Sequence, residues 1–251
     1  MKRILFSLFT AVTLSLAGCL EITQELTIKE DGSGTFNVIN DMSAMLGMMK
    51  QMGGDKPMEG TERAIDSTIS MAEAADSIPD LSDEEKALIR KGTLRINMDM
   101  GSEKLITNLS FPFSTVSELG KITALSGKVM SETMKETAGA AMPMGEEEAA
   151  PKPSSIEDYF DLQFSDGLLL KTLNKEKYAN AATDEYLAGM KQSAAMGLDF
   201  KTSYIINLPR PAKTAEGKGI ILSEDKKKIT IVASLDDFFD EPAKLEYKIE
   251  Y

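Results

Sequence analysis

The sequence predicts an α+β fold: an antiparallel sheet built from successive β-hairpins, with helices packed on one face. Two patterns carry this reading. Apolar and polar residues alternate at period two in stretches joined by short Gly/Asp turns, and segments with helical spacing and capping signals fall between them. The order supplies the third observation, because hairpin-then-helix occurs three times before the chain ends in strands. At 251 residues with a formal charge of -12, the chain suits one large domain or two small ones.

The first element is not part of that body. Lys2 and Arg3 precede an apolar run from Ile4 to Ala17, closed by Leu16-Ala17-Gly18-Cys19, the layout of a secretory signal. The run is short of the ~20 residues a membrane span needs. Its ending resembles the lipobox of bacterial lipoproteins, in which the chain is cut between Gly18 and Cys19 and the Cys19 thiol takes a diacylglycerol. The resemblance implies a fatty-acyl (palmitate-type) anchor at Cys19 and a location in the cell envelope. Leu20 stands where lipoproteins kept at the inner membrane often carry Asp, which by the same resemblance implies the outer membrane.

Residues 1–18 are therefore a signal peptide. A first half, 19–137, runs hairpin, helix, hairpin, helix. Ile22, Leu26 and Ile28 share one face, interrupted by Gln24; Asp31-Gly32-Ser33-Gly34 turns; Phe36 and Val38 return inward. Residues 42–52 have helical spacing, Gly53 to Gly60 forms a loop, and a helix is expected from Glu62 to Ala75. Ser82 with Glu85 makes a capping box for a helix over 83–90. Leu94, Ile96, Met98 and Met100 then alternate, as do Leu105, Thr107, Leu109, Phe111 and Phe113. Thr115 with Glu118 is a second expected box, heading a helix that carries Val116, Leu119, Ile122, Leu125 and Val129 to about residue 137. Residues 138–155, rich in Ala, Glu and Pro, read as a low-complexity linker or loop.

The remainder, 156–251, has a hairpin (Phe160, Leu162, Phe164, then Leu168 to Thr172) and a helix from Thr183 to Met196 stopped by Gly197. Three strands follow, on Phe200 to Leu208, Ile229 to Leu235 and Leu245 to Tyr251. The two halves are compatible with one domain. The lipobox, the immediate hairpin with its Asp31-Gly32-Ser33-Gly34 turn, and the terminal block with Asn207-Leu208-Pro209 together resemble the LppM-like lipoprotein domain. That resemblance implies an envelope-located α+β module, and it brings no catalytic residues with it.

Composition narrows the chemistry. His and Trp are absent and Cys19 is the one cysteine, so the commonest triads, zinc sites and disulfides have no ligands to use. The acidic balance argues against nucleic acid as a partner. Met42, Met45, Met48, Met49 and Met52 form a helical stripe of soft thioethers that could take Cu(I), with Met98/Met100 and Met142/Met144 as further pairs. Packing is the alternative, since a stripe at this spacing is what a core-facing helix shows. Asp83-Glu84-Glu85 reads as a helix start and Glu146-Glu147-Glu148 as linker. Asp236, Asp237, Asp240 and Glu241 have the charge to chelate calcium but no EF-hand spacing, and read as a solvated loop. Asp31-Gly32-Ser33-Gly34 leads into a strand and lacks the Gly-Lys-Ser/Thr ending of a phosphate loop. Asp66-Ser67-Thr68 and Asp76-Ser77-Ile78 match a short O-glycosylation acceptor.

The expectation is a non-enzymatic, lipid-anchored envelope protein with no cofactor. Its partners are the membrane, through the acyl anchor, and another envelope protein. The alternative is a carrier of a lipid, another apolar ligand, or Cu(I).

Overall fold

The computed structural model describes residues 18–44, 46–47, 64–141, 154–195 and 198–251. The chain runs β1 (Gly18–Ile28), β2 (Gly34–Asp41), β3 (Ala64–Ser70), α1 (Ala74–Ser77), α2 (Asp83–Ile89), β4 (Thr93–Asp99), β5 (Lys104–Phe113) and α3 (Leu119–Ala141). It continues through β6 (Phe160–Ser165), β7 (Leu168–Leu173), α4 (Lys175–Tyr178), α5 (Glu185–Ala195), β8 (Leu198–Asn207), β9 (Thr214–Glu216), β10 (Ile220–Leu222), β11 (Lys228–Ser234), α6 (Leu235–Asp240) and β12 (Tyr247–Glu250). The fold is α+β and mostly antiparallel, as expected.

Two differences from a single hairpin-built sheet matter. The strands divide into an eight-stranded sheet, ordered β10-β11-β8-β1-β2-β5-β4-β3, and a four-stranded one, ordered β6-β7-β12-β9. At the centre of the larger sheet β1 pairs in parallel with β8, from Gly18↔Leu198 to Thr27↔Asn207. Alternation tells a strand which way its side chains point. It cannot name a partner some 180 residues away, because that choice is made by the whole sheet closing.

The predicted faces hold. Leu26, Ile28, Phe36, Val38, Leu109, Phe111 and Phe113 are buried on one side, joined by Tyr204, Ile206, Ile229 and Ile231. α3 lies over the β2 and β5 part of this face with Leu119, Ile122, Leu125 and Val129 inward, and also packs on β6. The four-stranded sheet closes over the β1 and β8 part, contributing Phe160, Leu169, Tyr247 and Ile249. One continuous core results.

Local structure departs from expectation at four places. Residues 64–70, expected to be helical, form β3, because Ile65, Ser67 and Ile69 fit period two as well as they fit a helix. Antiparallel pairing with β4 from Ala64↔Asp99 to Ser70↔Thr93 decides it. The Thr115 box does not form; Glu118 instead accepts the Ser114 N–H at 2.8 Å and a 3₁₀ turn leads into α3, which runs on to Ala141. α5 begins at Glu185 rather than Thr183, with Asp184 accepting the Leu187 N–H at 3.0 Å. Residues 235–240 are helix α6, capped by a Ser234–Asp237 box, and not a loop. The Ser82–Glu85 box is present as expected, with N–H and side-chain bonds in both directions. The expected signal up to Ala17, the expected 53–60 loop and most of the expected 138–155 linker lie outside the described residues.

Candidate functional site

The most unusual chemistry sits where the two sheets meet. Ser155 caps the 3₁₀ turn Ile156–Tyr159: its hydroxyl accepts the Glu157 N–H at 3.2 Å, and Asp158 accepts the Ser155 N–H at 2.9 Å. That turn delivers Glu157 to the interior just before β6. On β7, period two sends Leu169 and Lys171 inward together. Lys171 Nζ lies 2.8 Å from Glu157 Oε2 and donates to Oε1 at 2.9 Å. The Tyr204 hydroxyl of β8 donates to Oε1 at 2.6 Å, and the Gln24 amide of β1 donates to it at 3.3 Å. The ammonium also stands over the rings of Tyr204, 4.2 Å from its centroid, and Phe160, 4.5 Å away.

Both charges are out of water: the Lys171 side chain is 1% exposed and that of Glu157 is 9% exposed. Burial pulls the Lys171 ammonium below its ordinary value, against the opposing attraction of Glu157. Burial, and then the Glu157 charge, push the Tyr204 hydroxyl well above the usual tyrosine range. Tyr247, opposite Lys171 in the β12–β7 register, is raised for the same two reasons. A buried carboxylate is tolerated when its lone pairs are satisfied, and here both oxygens are engaged.

Chemically, the cluster is well placed to hold the sheets together and poorly placed to turn over a substrate. The cavity beside it is about 30 Å³, lined by Gln24, Phe36, Thr123, Glu157, Tyr204 and Tyr247. A water needs ~10–15 Å³ of such space, whereas ligand sites occupy roughly 300–1,000 Å³. Water fits; a substrate does not. A wider cleft of about 340 Å³ opens at the end of the sheet, between the Glu30–Gly32 turn, Thr115–Ser117 and Ser165–Asp166. Glu30, Asp31 and Asp166 bring carboxylates to its lining beside Val116, and Asp166 already accepts from Arg210 at 3.1 Å.

The residues singled out from the sequence are scattered. Gly18 and Cys19 are the first residues of β1, in register with Leu198 and Asp199 of β8. Met42 is half-buried beyond the end of β2, its N–H donating to Leu105 O at 2.8 Å. Met45, Met48, Met49 and Met52 lie outside the described residues, as do Met142, Met144 and the Glu146–Glu148 run. Among the described residues no three His, Cys, Asp or Glu side chains gather as metal ligands. Asp237 and Glu241 are drawn instead to lysines: Asp237 to Lys244 at 2.5 Å, and Glu241 to Lys218 at 2.8 Å. The Lys244 bond holds the Asp237 carboxyl below the usual range. Asp31 folds back on its own turn, accepting both the N–H and hydroxyl of Ser33, while Gly32 takes φ +79°.

Glu157 and Lys171 were not among the sequence candidates. The available signal was a polar residue at an inward position, present twice: Gln24 between Ile22 and Leu26, and Lys171 between Leu169 and Leu173.

No protein-family model and no curated protein matches the chain. Among solved structures it has a weak resemblance to the folded domain of LppM from Mycobacterium tuberculosis, determined by NMR. The TM-score is 0.33 at 10% identity, over 92% of this chain and 90% of that one. No helix among the described residues is long and apolar enough to cross a membrane.

Proposed function

We propose that this is a lipid-anchored envelope protein, held at the outer membrane through Cys19, whose α+β body is a non-enzymatic interaction module. The reading is supported first by the lipobox-like ending of the leader. The observation that carries it further is the position of Cys19 at the head of β1, a central strand hydrogen-bonded on both sides. An acyl chain on that residue ties the bilayer to the middle of the sheet with no linker between. The non-enzymatic part rests on the Glu157–Lys171 cluster, where the reactive groups are spent on one another around a space for water. Another envelope protein is the partner of this reading.

The test is Cys19→Ser in the producing cell. The expected result is loss of acyl labelling and release of the protein from the membrane fraction. Undiminished membrane association of a stably folded Cys19→Ser protein overturns the anchor.

A further inference from the structure

We propose that β3 is a docking edge for a second copy of this chain, the two eight-stranded sheets joining antiparallel about a dyad at Ser67. Among the described residues β3 is the last strand of its sheet. The Met71 N–H donates to Gly92 O at 3.0 Å, which continues the β3–β4 register by one residue. In an antiparallel ladder bonded and non-bonded pairs alternate, so Ile65, Ser67 and Ile69 bond β4. The N–H and C=O groups of Ala64, Asp66, Thr68 and Ser70 point away from it. None of these four has a backbone hydrogen bond on that outer side among the described residues. Native edges are normally blunted by shortness, Lys or Pro. β10, at the other end of the sheet, is three residues long and is flanked by Lys218 and by Lys226, Lys227 and Lys228. β3 is seven residues long, contains no Lys, Arg, Pro or Gly, and leaves Ile69 47% exposed on the inward face.

The occupant follows from register. Antiparallel self-pairing centred on Ser67 sets Ala64 against Ser70, Ile65 against Ile69, and Asp66 against Thr68 of the other copy. All four residues whose outer groups point away from β4 then meet one another, closing about eight backbone hydrogen bonds. A slip of one residue would set them against groups already used, and a slip of two loses bonds and sets Ile69 against Ser67. On the inward face isoleucine covers isoleucine. On the outward face Asp66 meets a threonine, and its own charge is already taken by Arg95 at 2.9 and 3.0 Å. Like charges are never directly opposed. The dyad is perpendicular to the sheet, so β1 runs in opposite directions in the two copies; acyl-anchored copies therefore pair with the joined sheet lying along the bilayer. The pairing itself does not depend on acylation.

The test uses the full chain carrying Cys19→Ser, so that an introduced cysteine is the sole thiol. Ser67→Cys places two cysteines in a facing non-bonded pair, ~4.5 Å between Cα atoms, close enough for a disulfide. Ser70→Cys places them ~20 Å apart along the strands. The expected result is a twofold mass by light scattering, and a covalent dimer on oxidation for Ser67→Cys but not for Ser70→Cys. Adding Thr68→Pro removes an outward N–H that β4 does not use, and should abolish the dimer while the circular dichroism stays that of the parent. A monomeric mass at every concentration, or equal cross-linking from both cysteines, overturns the proposal. Should Thr68→Pro disturb folding, the two cysteine positions still decide.

Discussion

Glu157–Lys171 and Asp66–Arg95 are both carboxylate–cation pairs closing at 2.8–2.9 Å, each joining two elements that lie side by side in the fold. They do different work. The first is shielded from water and receives hydrogen bonds from Tyr204 and Gln24 as well. The second lies on the open face of the sheet, with side chains 57% and 55% exposed. In water a pair gains little because each ion is already solvated, while in the core each ion depends on the other. Distance does not rank these pairs; solvent does.

The comparison breaks most visibly at Glu157→Ala. It strands the Lys171 ammonium in the core, which costs roughly 3–5 kcal/mol. For a chain of this size that is a fall in the thermal midpoint of roughly 10 °C, readable by circular dichroism. Replacing both partners, Glu157→Leu with Lys171→Met, should recover much of that loss because no unpaired ion remains, the residual deficit being the Tyr204 hydroxyl and Gln24 amide that lose their acceptor. A double variant as unstable as Glu157→Ala would mean that shape, and not charge, is what the junction requires.

Alkaline pH gives the next effect. Tyr204, Tyr247 and Tyr159 are raised, each by burial first, and Tyr178, Tyr186 and Tyr251 follow in the same direction. A raised folded-state pKa means that the unfolded chain releases its protons first. The stabilisation is therefore complete below about pH 10 and is lost as pH rises above it. Lys171 acts in the opposite sense: its value is lowered, so its contribution improves as pH climbs towards the ordinary lysine range. Urea midpoints between pH 8 and 11.5 should fall on balance, because Lys244 and Lys248, raised by their bonds to Asp237 and Glu250, act with the six tyrosines and against Lys171; Lys171→Met should steepen the fall.

The smallest effect is expected on the open face. Asp66→Asn should leave the unfolding midpoint unmoved within error, and 1 M salt should weaken Asp66–Arg95 while sparing the buried pair. A midpoint shift for Asp66→Asn as large as that of Glu157→Ala would remove the distinction between the two pairs.

The same contrast separates what was legible in advance. The inward faces of β1, β2, β5, β8, β11 and β12 followed from alternation, and the Ser82 cap of α2 from a four-residue signal. β3 departs from the helix its spacing predicts because Ile65 and Ile69 satisfy both periods over seven residues, and α6 departs from the loop its acidic composition predicts because Ser234 and Asp237 cap a helix there. The site itself was visible only as two interruptions, Gln24 and Lys171, with nothing in either local pattern to say that they converge on Glu157.

From the sequence alone came the α+β class, most faces and one helix cap, because those depend on interactions between residues two to four apart. The expectation of a leader with a lipobox-like ending rests on the same kind of evidence, a short contiguous stretch. Only the tertiary structure decided that β1 lies beside β8, that a second sheet closes over the first, and that Glu157 meets Lys171. Those choices set contacts between residues far apart in the chain, whose energies exist only once the loops between them have closed and water has left.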